Sequence, residues 1–130
     1  MADIVTTQTL VDTSGVKYVI KLTNLSDGSG ETDVIKVDAS TTNFMTEDGA
    51  RKIAKVWYSI NTTSPKSGVE IKWDGATDAT ALFLGGQGFI DLRTAGDEIT
   101  NNAITPTGDV LLSTKNFLNG DNYSLVIEFR

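Results

Sequence analysis

The 130-residue sequence contains no cysteine and no histidine. The lack of cysteine excludes disulfides, thiolate metal sites and a cysteine nucleophile. The lack of histidine removes the commonest general base near neutral pH and the commonest metal ligand, together with every Ser-His triad. We therefore expect a protein that is not an enzyme and that uses neither a cofactor nor a metal.

Long apolar runs and an excess of basic charge are also missing. No apolar run reaches the length of about eighteen residues that predicts a transmembrane helix, so a membrane is not an expected partner. Eleven basic residues against seventeen acidic ones give a net charge of −6, which opposes phosphate binding and makes nucleic acid an unexpected partner. The start, MADIVTTQTL, lacks the basic and apolar regions of a signal peptide, which predicts synthesis in a cytoplasm.

The sequence does contain a repeated two-residue alternation of apolar and polar side chains. In NYSLVIEFR the residues Tyr123, Leu125, Ile127 and Phe129 share one face, and VEIKWDG places Trp73 on its apolar face in the same way. This alternation is typical of half-buried strands in an antiparallel sheet, with one side on the core and the other in water.

Turn-forming residues separate these runs at short intervals. Nine strands are predicted, over residues 3–11, 16–25, 32–39, 52–61, 69–74, 79–85, 88–93, 109–114 and 122–129. Short strands at this spacing favour one all-β domain over residues 1–130. We expect an antiparallel β-sandwich, with a jelly-roll-like arrangement as one form of it.

The segment TEDGARKIAK, residues 46–55, resembles the start of a helix, because Thr46 and the acids after it suit an N-cap and a first turn. Gly49 weakens a helix, and Ala54, Val56 and Tyr58 soon resume the alternation of a strand. We predict a turn or loop that leads into a strand.

The stretch ALFLGGQGFIDLR, residues 81–93, raises the question of a phosphate-binding loop. Gly86 and Gly88 match the first two places of the G-x-G-x-x-G fingerprint, but Asp91 stands at the third, where its carboxylate would repel a pyrophosphate. The residues that follow predict a strand rather than a helix. We interpret the glycines as a hairpin turn without chemistry.

The acidic residues offer two further candidate sites. Asp27, Ser29, Glu31 and Asp33 alternate as calcium-loop ligands do, but Thr32 stands where an EF-hand has glycine. A solvated turn is the preferred interpretation, and calcium at 27–33 stays open. A catalytic carboxylate pair of the glycosidase type also stays open, although the sequence singles out no pair.

The two tryptophans are predicted to differ. Trp73 shares its phase with Val69 and Ile71, which predicts a core position. Trp57 lies opposite Val56 and Tyr58 in phase, which predicts an exposed side chain. An exposed tryptophan on a sheet can stack on a sugar or anchor a protein contact, so Trp57 is the candidate binding residue, unless a second sheet covers it.

Three segments of the C-terminal half carry a resemblance to a known class of proteins. The stretches KVWYSI, VEIKWDGATDATALFLGGQGFIDLR and PTGDVLLSTKNFLNGDNYSLVIEFR resemble small structural proteins of tailed bacteriophages, especially those of marine and cyanobacterial hosts. The resemblance covers residues 52–130 and is most specific at KWDG, PTGDVLLST and YSLVIEFR. It brings no catalytic motif with it.

This resemblance implies a non-enzymatic virion protein, with capsid decoration, as a cement protein on the assembled shell, as the first expectation. Expected partners are the major capsid protein or other virion proteins, and further copies of the chain in a dimer or trimer. A neck, tail or fibre position and a carbohydrate-binding module are the alternatives. Residues 1–9 are expected to form an extended arm that adds a strand to a neighbour's sheet.

Overall fold

The computed structural model describes residues 3–95 and 97–130, which form an all-β sandwich of nine strands. The strands are β1 (Ile4–Thr13), β2 (Lys17–Asp27), β3 (Val34–Val37), β4 (Ile53–Asn61), β5 (Gly68–Thr77), β6 (Ala79–Leu84), β7 (Gln87–Asp91), β8 (Ile104–Lys115) and β9 (Asn119–Phe129). A short 3-10 turn (Ala39–Thr41) follows β3, and a one-turn helix, α1 (Leu92–Ala95), follows β7. All nine predicted strands are confirmed, with β8 starting five residues before its predicted beginning.

The strands form two antiparallel sheets in the connectivity of a jelly roll. One sheet has the order β1-β2-β9-β4-β7 and the other the order β3-β8-β5-β6. From β2 onward the pairs are β2 with β9, β3 with β8, β4 with β7 and β5 with β6, as in a long hairpin that has been rolled up. The predicted sandwich and its jelly-roll-like form are thus confirmed, with β1 added at one edge.

The core lies between the sheets and follows the predicted phases. Ile20, Leu22, Leu125, Ile127 and Phe129 from the five-stranded sheet are almost fully buried. The facing residues of the four-stranded sheet are mainly Val69, Ile71, Trp73, Val110 and Leu112. Trp73 is only 1% exposed, so its predicted core position is confirmed.

The segment before β4 is a turn, as predicted. Residues 47–49 form this turn, and Thr46 Oγ1 donates to the Asp48 carboxylate at 2.6 Å instead of capping a helix. The backbone then enters β4 at Ile53.

The glycine stretch is a turn, but the predicted hairpin is wrong. β6 belongs to the four-stranded sheet and β7 to the five-stranded sheet, so Gly85 and Gly86 carry the chain from one sheet to the other. Gly86 adopts a φ of +69°, which favours glycine, and its carbonyl accepts from Ile60 N at 2.8 Å. The rolled connectivity explains the error, because consecutive strands in a jelly roll mostly change sheets.

The predicted N-terminal arm occupies a place in its own sheet. Ile4–Thr13 pairs with β2, and the Asp3 carboxylate accepts hydrogen bonds from Asp27 N at 3.0 Å and Asn24 Nδ2 at 3.0 Å. Transfer of this strand from β2 into a neighbour's sheet would require its release from β2. That exchange stays a prediction.

Candidate binding surface

The strand registers place three apolar side chains side by side on the outer face of the five-stranded sheet. Phe89 of β7 pairs with Trp57 of β4, and Trp57 pairs with Val126 of β9. Directly opposite residues point to the same side of a sheet. We call Phe89, Trp57 and Val126 the aromatic row, and Lys21 of β2 continues it next to Val126.

The two rings of the aromatic row stack on each other. Their centroids lie 5.0 Å apart with an interplanar angle of 23°. Trp57 is 38% exposed and Phe89 52% exposed, which confirms the exposed phase predicted for Trp57. Phe89 therefore covers one face of the Trp57 ring, and Val126 lies next to Trp57 on the neighbouring strand. This geometry suits insertion into an apolar notch better than stacking on a sugar ring.

Polar and charged side chains border the aromatic row on both sides. Ser59, Ser124 and Thr23 form the next row along the strands, and with Lys21 and Val126 they line a shallow depression beside Trp57. On the other side Lys55 pairs with Asp91 and Glu128. The surface is therefore an apolar strip between a hydroxyl-rich flank and a charged flank.

Glu128 faces outward, as its phase predicts, but it is buried. It is only 4% exposed because Arg130 and Lys17 cover it, with Arg130 Nε 3.0 Å and Lys17 Nζ 3.8 Å from its carboxylate. Val19 also lies on this outer face and is 8% exposed. Val19 and Val126, which interrupt the polar phases of their strands, thus belong to this partly covered outer layer.

The outer face of the four-stranded sheet also carries paired charges, but it has no stacked aromatic pair among the described residues. Asp33 Oδ1 lies 2.8 Å from Lys72 Nζ and accepts from Ser113 Oγ at 3.1 Å. The hydrogen bond from Lys72 lowers the pKa of Asp33 and outweighs burial, which would raise it. Phe83 stands on this face at 68% exposure without an aromatic neighbour such as Trp57 has in Phe89.

The acidic turn does not bring its candidate calcium ligands together. Asp27 accepts from Ser29 N at 3.0 Å, Asp33 binds Lys72, and Glu31 turns inward. The centre of the turn presents hydrogen-bond donors instead. The Asp3 carboxylate accepts hydrogen bonds from Ser26, Asp27, Ser29 and Gly30. Within residues 3–95 and 97–130 no three carboxylates converge as metal ligands.

The hydrogen bonds of this turn change the pKa of Asp3. Burial alone would raise its pKa, but the hydrogen bonds from Asn24, Asp27 and Gly30 outweigh burial and lower the pKa to about 2. The carboxylate is therefore ionised at neutral pH and ties the start of β1 to the turn after β2.

Glu31 forms a buried polar cluster that the sequence did not predict. Its carboxylate pairs with Lys36 Nζ and accepts from Tyr123 OH at 2.6 Å and Asn24 Nδ2 at 2.7 Å. Glu31 and Lys36 expose only 6% and 4% of their side chains. Burial, followed by the hydrogen bond to Glu31, raises the pKa of Tyr123. No periodic signal marks Glu31, because it lies outside the strands.

Several other carboxylates hold loops in place. Asp12 accepts from the backbone amides of Asn43 and Phe44, and Asp121 accepts from those of Thr63 and Leu118. Asp91, the residue at the third fingerprint position, accepts from Thr94 N at 3.1 Å at the start of α1. Backbone amides thus explain the positions of many of the seventeen acids.

Comparisons with protein-family models, with curated proteins and with solved structures find no match to this chain. No helix in the described part of the chain has the length and apolar character needed to cross a bilayer.

Proposed function

We propose that this protein is a non-enzymatic structural component of a tailed-bacteriophage particle that decorates the capsid. The sequence resemblance over residues 52–130 is the first support, and the jelly roll, which occurs in viral capsid domains and in lectins, is compatible with it. Fold-level analogy does not assign a function by itself. The aromatic row is the observation that carries the proposal.

The surroundings of the aromatic row define the partner. Lys17, Lys21, Lys55 and Arg130 lie on this outer face, against the carboxylates of Glu128 and Asp91. This face is therefore basic on a chain whose net charge is −6. We propose that this face binds a protein surface of the shell that has an apolar notch bordered by carboxylates.

The direct test is the composition of the particle whose genome encodes this chain. Purified particles are expected to contain a 13.9 kDa protein in a fixed copy number, and imaging is expected to place it on the shell. A protein found at the neck, tail or fibre would overturn decoration and keep the virion role. Absence of the chain from purified particles would overturn both.

A pair of substitutions tests the surface. Trp57→Ala is expected to weaken co-sedimentation with assembled shells by at least about tenfold, the typical loss for a central aromatic anchor. Phe83→Ala is the matched control, since Phe83 is equally aromatic and more exposed but lies on the four-stranded sheet. Equal binding by both variants and the unaltered protein would remove the aromatic row from the interface.

Carbohydrate binding is the second candidate, because an exposed tryptophan next to Ser59, Ser124 and Thr23 offers both stacking and hydroxyl groups. The stacking of Phe89 on one face of the Trp57 ring argues against it, because that face is not free for a sugar. A glycan array, with tryptophan fluorescence of Trp57→Ala beside the unaltered protein, separates the two functions. Saturable glycan binding that Trp57→Ala abolishes would favour the lectin.

A further inference from the structure

β1 differs from the other strands because it adds no side chain to the core. All seven residues from Ile4 to Leu10 are exposed, including Ile4 at 64% and Leu10 at 46%. Each of the eight other strands places at least one apolar residue in the core or against it. The four-stranded sheet does not cover this edge, so both faces of β1 and its outer backbone edge meet solvent.

The other three sheet edges are protected in ways that β1 is not. β3 has only four residues and carries Lys36, and β7 has five residues and ends at Asp91. β6 carries no charge, but with six residues it offers a shorter edge than the ten residues of β1. β1 has no charged residue and no proline between Ile4 and Val11, and its bulge lies between Thr9 and Val11, so the regular run Ile4–Thr9 lacks the devices that normally prevent strand addition.

We propose that two copies of this chain associate through β1, as antiparallel neighbours in one continuous ten-stranded sheet. Thr7 is the midpoint of the exposed run, so a two-fold axis at Thr7 pairs Val5 with Thr9 of the second copy. Ile4 then lies beside Leu10 of the second copy, and apolar side chains meet. This dimer does not depend on the virion role.

Charge disfavours one of the two neighbouring registers. A shift by one residue sets Asp3 of each copy opposite Asp12 of the other, which is unfavourable for like charges. The register centred on Thr7 sets Asp3 opposite Val11 instead. The contact is a single strand edge, smaller than a standard interface, so we expect dimers at high protein concentration.

The absence of native cysteine makes disulfide trapping a clean test. In Thr7→Cys the two introduced residues face each other at a Cα separation of about 5 Å, within the range that a disulfide spans. In Thr9→Cys they are offset by four residues along the strands, about 13 Å, which a disulfide cannot span. We expect rapid oxidative dimerisation of Thr7→Cys and little of Thr9→Cys.

Thr41→Cys, at an exposed position outside β1, gives the rate of random collision. Thr7→Cys that oxidises no faster than Thr41→Cys would overturn the proposal, as would equal rates for Thr7→Cys and Thr9→Cys. Circular dichroism of each reduced variant verifies that it is folded, and both threonines are exposed enough to tolerate the change.

A lysine at the axis gives an independent measurement without cross-linking. Thr7→Lys brings two ammonium groups together in the dimer, whereas Gln87→Lys places the same charge on the edge strand β7. Sedimentation is expected to show the single-chain mass of 13.9 kDa for Thr7→Lys and a concentration-dependent rise for Gln87→Lys. A rise for Thr7→Lys alone would place the contact at β7 and contradict the proposal.

Discussion

The interior of the sandwich is apolar at one end and polar at the other. At the apolar end Trp73 packs edge-on against Phe129, with centroids 6.1 Å apart, and Tyr18 lies against the same ring. At the polar end Tyr123 and Asn24 donate to the buried Glu31 carboxylate. Tyr123 and Phe129 are six residues apart on β9, about 20 Å, so the two ends form separate environments.

The difference shows that two kinds of interaction hold the sheets together. The apolar end depends on filled volume, and its contribution does not change with protonation. The polar end depends on a carboxylate and an ammonium group away from water, where each is costly without its partner. Removal of a single side chain should therefore lower the free energy of unfolding at both ends, but for different reasons.

Trp73→Ala is expected to give the largest loss of stability. Truncation of a fully buried tryptophan leaves a cavity and should lower the free energy of unfolding by about 4 kcal/mol. Urea denaturation followed by far-ultraviolet circular dichroism measures this loss. The indole Nε1 of Trp73 has no hydrogen-bond partner among the described residues, so the cost is one of packing rather than of a lost hydrogen bond.

Trp57→Ala is the control at the exposed tryptophan. It removes the stack with Phe89 and should cost about 1 kcal/mol or less. Equal losses for Trp57→Ala and Trp73→Ala would contradict the assignment of one tryptophan to the core and the other to the surface.

Glu31→Gln is expected to have the next largest effect. It leaves the Lys36 ammonium group buried without a counter-charge and should lower the free energy of unfolding by about 3 kcal/mol. Glu128→Gln is the matched control, because Glu128 is equally buried but its partners Lys17 and Arg130 expose 32% and 27% of their side chains. Water can solvate those partners, so we expect a smaller loss, and an equal loss would show that exposure of the partner does not matter.

The sequence predicts the apolar end well and the polar end poorly. Period-two alternation and the turn residues between the runs predict the strands, and the alternation predicts the opposite orientations of Trp57 and Trp73, because burial of one sheet face imposes that period on strands that line the core. It also predicts that Glu128 faces outward, but not that Lys17 and Arg130 bury it. Long side chains cover their neighbours in ways that phase alone does not encode.

The polar end depends on contacts between distant parts of the chain. Glu31 meets Tyr123 across 92 residues and Asp3 meets Gly30 across 27, and neither pair leaves a local pattern in the sequence. The hairpin prediction at Gly85 and Gly86 was wrong for the same reason, because the topology of the whole jelly roll decides which sheet each strand joins. Prediction of the aromatic row would also have required the registers of β4, β7 and β9.

Asp3→Asn removes a carboxylate at the edge of the polar end. We expect it to have the smallest effect on the free energy of unfolding. Asp3 has a pKa of about 2 in the folded chain against about 3.9 for an unperturbed aspartate. Because the folded value is lower, Asp3 contributes its full stabilisation above about pH 4 and loses it as the pH falls toward about 2. After a discount for partial exposure, we expect about 1–2 kcal/mol at neutral pH.

The measurement is the difference in unfolding free energy between the unaltered protein and Asp3→Asn, followed from neutral pH to about pH 2. It should shrink over the acid range, since the protonated Asp3 no longer attracts the amides of Asp27 and Gly30. Asp48→Asn is the control: hydrogen bonds from Thr46 and Ala50 also lower the pKa of Asp48, but its side chain is exposed and screened by water, so we expect a smaller difference than for Asp3→Asn. A difference that stays constant for Asp3→Asn would mean that its charge does not hold β1 to the turn, and the pH-sensitive character of this end would then rest on other groups.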